Sequence, residues 1–137
     1  MKNNIIALLI FLCLFGCDLK EHSVSKDQAF GRYKRNYGRT NEYLCLKKDM
    51  SYSYWVEEDD DNVVKTISEW EFDEDNGESR IFLRKFDYMV ELEKYSITPT
   101  SFSAPILFSE AKNAIVIRMD PDDHFRDFTR IDSTSCE

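Results

Sequence analysis

Glycine, proline, histidine and positive charge are all in short supply in this chain, and each shortage removes possibilities. Four glycines and three prolines in 137 residues leave no internal repeat and no low-complexity stretch apart from an acidic cluster at 57–61. The two histidines, His22 and His124, are a hundred residues apart in sequence. An imidazole metal centre or a histidine-based catalytic pair therefore has little to build from. A formal charge of −8 repels phosphate backbones and argues against nucleic acid as a partner. The nucleophile elbow, phosphate loop, dinucleotide fingerprint and zinc-protease helix motif are all missing, so neither an enzyme nor a bound cofactor is expected. The carboxylates at 57–61 and at Asp120, Asp122 and Asp123 lack the alternating spacing and central glycine of a calcium loop. They read as solvated turns, with no metal expected.

Aromatic residues are what the chain has in abundance: 10 Phe, 7 Tyr and 2 Trp, or 14%. Side chains of that size let one short domain build a core, and with many Val, Ile and Thr residues they favour strands. The length suits one domain. Charge is unevenly spread. From Asp18 to Lys48, basic residues outnumber acidic ones eight to four, whereas from Asp49 onward acidic residues lead twenty-two to nine.

The N-terminus differs from the rest. Lys2 precedes an unbroken apolar run from Ile5 to Phe15, and Gly16 supplies a small residue at a candidate cleavage point. Only about 15 apolar or neutral residues precede Asp18, fewer than the roughly 20 a membrane-spanning helix needs. The run Leu14-Phe15-Gly16-Cys17 resembles the lipobox of bacterial lipoproteins. That resemblance implies removal of residues 1–16 as a signal peptide and acyl chains on Cys17, which becomes the first mature residue. The expected address is the cell envelope, with the protein lipid-anchored to a membrane and facing the periplasm or the exterior. Asp18 resembles an inner-membrane retention signal of some bacteria, but inner and outer membrane both stay open. Residues 17–30 then read as anchor and polar tether, within which Ser25-Lys-Asp-Gln28 can cap a short helical turn.

With Cys13 and Cys17 accounted for by the leader and the anchor, Cys45 and Cys136 remain. In a compartment that permits disulfides they can bridge, or they can stay as one buried and one terminal thiol.

Residues 31–137 read as seven to nine short strands separated by turns, an all-β barrel or sandwich. Strands are expected at 42–47, 52–56, 66–73, 80–86, 88–97, 106–108, 114–119 and 124–132. A solvated loop is expected at 57–62, and an Asn-Gly turn at 76–77. Trp70 and Phe72 alternate with Glu69 and Glu71, the mark of a strand with one wet face. The series Gly31-Arg-Tyr33, Leu44-Cys-Leu46, Asp49-Met50, Tyr52-Ser-Tyr54, Glu69-Trp70 and Ile81-Phe-Leu83 is similar to lipocalin-like domains of small bacterial lipoproteins. Met50 stands where their turn carries glycine. The resemblance implies a barrel rather than an activity. Tyr33, Tyr43, Tyr52, Tyr54, Trp55 and Trp70 can either line a ligand cavity or simply fill a core, and strand alternation favours the core. The functional expectation is a non-enzymatic binding module for an apolar ligand or an envelope protein. The alternative is an immunity- or inhibitor-type lipoprotein whose acidic surface meets a basic partner.

Overall fold

The computed structural model describes residues 20–37, 40–58, 61–86, 100–120, 122, 126–134 and 136. The domain is all-β: a closed antiparallel barrel of eight strands, with one short strand added outside it and one helical turn. In chain order these are β1 (Glu21–Ser23), α1 (Lys26–Ala29), β2 (Gly31–Tyr37), β3 (Thr40–Leu46), β4 (Ser51–Glu58), β5 (Asp61–Asp75), β6 (Glu78–Phe86), β7 (Thr100–Ser109), β8 (Ala114–Ile117) and β9 (Phe128–Asp132). Strands β2 to β7 pair with their sequence neighbours, β9 returns to β2, and β8 joins β9 to β7. Closure leaves no unpaired edge in the barrel itself.

Alternation decides which residues enter the interior. Tyr33, Leu44, Leu46, Tyr52, Tyr54, Trp70, Ile81, Leu83, Ile106, Ile117 and Phe128 are all essentially inaccessible to solvent and form one cluster. Burying side chains of this size contributes roughly 1.5–3 kcal/mol each relative to leaving them exposed. Tyr54 lies 5.0 Å from Phe86, ring centre to ring centre, and meets Phe128 edge-on at 6.4 Å.

β5 is long because it serves two partners. Its first part pairs with β4 up to Glu69, and its second pairs with β6 from Trp70. At that bend the Trp70 N–H donates to the Met50 carbonyl at 2.8 Å, and its indole donates to the Lys47 carbonyl at 3.0 Å. Met50 adopts φ +66°, the left-handed conformation that the more usual glycine would take without strain. At the next hairpin, Asn76 and Gly77 both have positive φ, at 52° and 82°, as a two-residue turn matched to strand twist requires.

Several expectations are corrected here. Residues 21–30 are no polar tether: β1 pairs with β7, α1 follows, and Val24 and Ala29 are buried in the core. The tract is aperiodic because each of its apolar residues serves a different contact. α1 closes one end of the barrel, where the Tyr33 hydroxyl donates to the Ala29 carbonyl at 2.6 Å. Gln28 Oε1 accepts the Ser25 N–H at 2.9 Å, which starts the turn. Of the loop expected at 57–62, residues 57–58 are instead the end of β4 and 61–62 the start of β5, with Glu57 opposite Asn62 and Glu58 opposite Asp61, while 59–60 lie outside the described residues. Backbone pairing continues there in spite of the charge. β7 starts at Thr100 and runs through Pro105, at the point where its partner changes from β6 to β8. The last strand is shorter than expected and begins at Phe128. The strand expected at 88–97 lies outside the described residues.

Candidate functional site

The barrel interior holds one polar cluster. Period-two alternation places Arg35 two residues after Tyr33 and Glu42 two before Leu44, so both point inward, and the two are direct cross-strand neighbours. Glu42 Oε2 accepts from Arg35 Nε at 2.9 Å, from Arg35 Nη2 at 2.6 Å and from the Tyr54 hydroxyl at 2.9 Å. Arg35 Nη1 donates to the Arg126 carbonyl at 3.2 Å, and the guanidinium sits 4.7 Å from the Phe128 ring centre. Both charged side chains are no more than 1% exposed. Among the described residues, Glu42 Oε1 has no hydrogen-bond partner. A buried pair of this kind fixes the register of its strands more reliably than it adds stability. The sequence reading missed it, although the alternation that identifies Tyr33 and Leu44 as core also marks these two positions.

The outer wall carries two contrasting faces. On β2, β3 and β4, Arg32 lies over the Trp55 ring at 5.9 Å and Lys34 over the Tyr43 ring at 5.5 Å. The Tyr43 and Trp55 rings stack at 5.1 Å. Of the six aromatics weighed as cavity residues, Tyr43 and Trp55 therefore face outward, whereas Tyr33, Tyr52, Tyr54 and Trp70 are core. A surface groove of about 470 Å³ lies beside this face, lined by Lys34, Asn36, Lys112, Asp127, Thr129 and Ile131. Its Lys112 and Asp127 are within 3.5 Å of each other.

The β5–β6 hairpin is the opposite in charge. Glu69, Glu71, Asp73, Glu74, Asp75 and Glu78 are all solvent-exposed. Against these six carboxylates the described part of β6 offers Arg80, Arg84 and Lys85, and Arg84 is engaged in an exposed ion pair with Glu71. Glu71 and its hydrogen bond raise the Arg84 pKa above the ordinary guanidinium value. Arg80 pairs in register with Asp73. Alternation puts Glu69, Glu71 and Asp73 on the wet face of β5 while Trp70 fills the interior.

β1 is fastened to the barrel at its surface. His22 Nε2 and Glu110 Oε1 are 2.8 Å apart, and Glu110 Oε2 also accepts the Lys20 N–H at 3.1 Å. The His22 hydrogen bond, followed by that from Lys20, holds the Glu110 carboxyl below its ordinary pKa. Arg118 pairs with Glu21, and the Ser79 hydroxyl donates to the Val24 carbonyl at 2.6 Å. His22, placed in a tether by the sequence reading, is thus part of a strand. His124 lies outside the described residues.

Cys45 and Cys136 form a disulfide with Cα atoms 6.0 Å apart, within the usual span of such bridges. The tail reaches Cys45 by crossing β2 at Gly31, which has φ +136°; a Cβ there would stand 2.4 Å from the Asp132 carbonyl oxygen. Cys17, the expected lipid attachment point, lies outside the described residues. Among the described residues no helix is long and apolar enough to cross a membrane. Among them, too, no three His, Cys, Asp or Glu side chains converge as a metal site. Asp120 and Asp122 form a local turn in which Asp120 Oδ1 accepts the Asp122 N–H at 2.9 Å. No family model, no curated protein and no solved structure matches this chain.

Proposed function

We propose that this chain is a lipid-anchored, non-enzymatic module of the cell envelope, lipocalin-like in build, that binds a basic protein partner through its acidic β5–β6 hairpin. The observation that carries this reading is six exposed carboxylates set against three basic side chains, Arg80, Arg84 and Lys85, on a single hairpin. So dense a field steers an oppositely charged surface and suppresses like-charged ones. An immunity- or inhibitor-type role uses that chemistry. Binding of an apolar ligand inside the barrel has less support, because aromatic and aliphatic side chains fill the interior between the described strands. The anchor rests on the resemblance of Leu14 to Cys17 to a lipobox, and it would place the barrel on a membrane facing the periplasm or the exterior.

The test uses the full chain purified from membranes. Mass spectrometry of its N-terminus should show acylated Cys17. Captured on the intact protein, the partner should elute between low and high salt. Replacing Glu71, Asp73 and Glu74 with lysine should abolish capture while leaving the folded barrel intact. Capture that survives both high salt and this charge reversal would rule out the hairpin as the binding surface.

A further inference from the structure

Building on the anchored reading, we infer that the barrel stands on its own membrane with the α1-plugged end against the lipid headgroups and the Arg35–Glu42 end facing away. Two observations carry this, one of length and one of surface chemistry.

Only residues 18–20 separate Cys17 from the first residue of β1. Fully extended, that link spans about 14 Å between the two Cα positions. β1 is tied to the last residues of β7, with Glu21 opposite Ser109. The link therefore meets the barrel at the end that carries the β3–β4, β5–β6 and β7–β8 turns. From Ser109 back to Thr100 the strand runs roughly 30 Å, or about 22 Å along the axis of a barrel whose strands are tilted near 40°. The link is too short to turn the far end down to the bilayer.

A short link alone would still let the barrel lie on its side. The surface at the α1 end argues against that posture. Lys26, Asp27 and Lys48 flank Phe30 in a shallow depression lined by two cations and one carboxylate, and Lys47 and Met50 adjoin it through the carbonyls that receive the two Trp70 hydrogen bonds. Phe30 packs edge-on against Trp70 at 5.5 Å and is, like Met50, only partly buried. Lysine ammoniums around half-covered apolar side chains match the boundary between phosphate headgroups and acyl chains. The occupant inferred is thus the lipid surface that holds the chain's own anchor. The β5–β6 turn, with Glu74, Asp75 and Glu78, lies at that same end, and the acidic flank carried by Glu69 and Glu71 rises from it along the side of the barrel, where a partner lying close to the bilayer can reach it.

The test places a photoreactive benzoylphenylalanine at Lys48, on the inferred membrane side, or at Asn36, near the opposite end. Each full-length acylated protein is reconstituted in phosphatidylcholine vesicles containing one quarter phosphatidylglycerol. Irradiation should give lipid adducts at position 48 at least fivefold more often than at position 36. Lys26→Glu should lower the position-48 yield in these vesicles and leave it unchanged in pure phosphatidylcholine. Equal yields at the two positions, or an excess at position 36, would overturn the orientation. Mass spectrometry of the same samples separates the two ideas: unmodified Cys17 removes the anchor reading itself, whereas acylated Cys17 with the wrong adduct pattern removes only the orientation.

Discussion

Gly31 illustrates how one residue can carry a tertiary requirement. It opens β2 at φ +136°, and its missing side chain is what lets the Asp132 carbonyl and the Ser133 backbone pass directly overhead. Gly31→Ala should cost on the order of 3 kcal/mol, from left-handed strain together with forced separation of the tail. A urea titration of the oxidised protein would measure it, and a loss below about 0.5 kcal/mol would refute the crossing as a close contact. Arg35 and Glu42 make a different kind of claim. Arg35→Met alone leaves the Glu42 carboxylate buried opposite a hydrocarbon and should cost about 3–5 kcal/mol. Converting both, Arg35→Met with Glu42→Leu, should recover most of that loss, short of about 1–2 kcal/mol for the hydrogen bond lost between the Tyr54 hydroxyl and Glu42. If the double variant proves as unstable as the single one, the cluster contributes net stability instead of register.

At the scale of elements, β1 is the least secure strand: three exposed residues held by surface contacts. Its attachment should depend on pH through Glu110, whose carboxyl is held below its ordinary pKa by the His22 and Lys20 hydrogen bonds. A depressed folded-state value means that this contribution is present above the unfolded-state carboxylate pKa and is lost as pH falls through the folded one. The protection of the His22 and Ser23 amides, measured against their intrinsic exchange rates, should therefore fall at acidic pH well before that of the β3–β4 amides, and Glu110→Gln should show the lower protection already at neutral pH. A uniform loss of protection across all strands would sink the idea. The strands from β3 to β6 were legible because Leu44 and Leu46, Tyr52 and Tyr54, and Trp70 and Phe72 alternate cleanly with polar neighbours, and Asn76-Gly77 declares its turn. β1 and the paired acidic ends of β4 and β5 were not. Their stability comes from backbone pairing with distant segments, which local composition does not report.

For the whole molecule, a closed barrel could be anticipated from many short strands and few breakers, whereas the contents of its interior could not. Strand alternation favours a core over a cavity lining without deciding it for each ring, and only the three-dimensional register sends Tyr33, Tyr52, Tyr54 and Trp70 inward while Tyr43 and Trp55 face out. The binding surface was half legible: Glu69 and Glu71 announce a wet face, but the share of carboxylate gathered on one hairpin depends on how β5 and β6 align. The cluster of buried side chains among the described residues has a measurable consequence. The wild-type barrel should take up no apolar fluorescent dye, since Trp70, Leu83, Ile81 and Phe86 already occupy the space between its walls. Leu83 is fully buried, so Leu83→Ala should cost about 2–5 kcal/mol and leave a dry apolar void. That variant, folded and below its melting temperature, should bind a benzene-sized probe that the parent excludes. Stoichiometric uptake by the parent would mean that the interior opens to ligands after all, and it would return the apolar-ligand reading to first place.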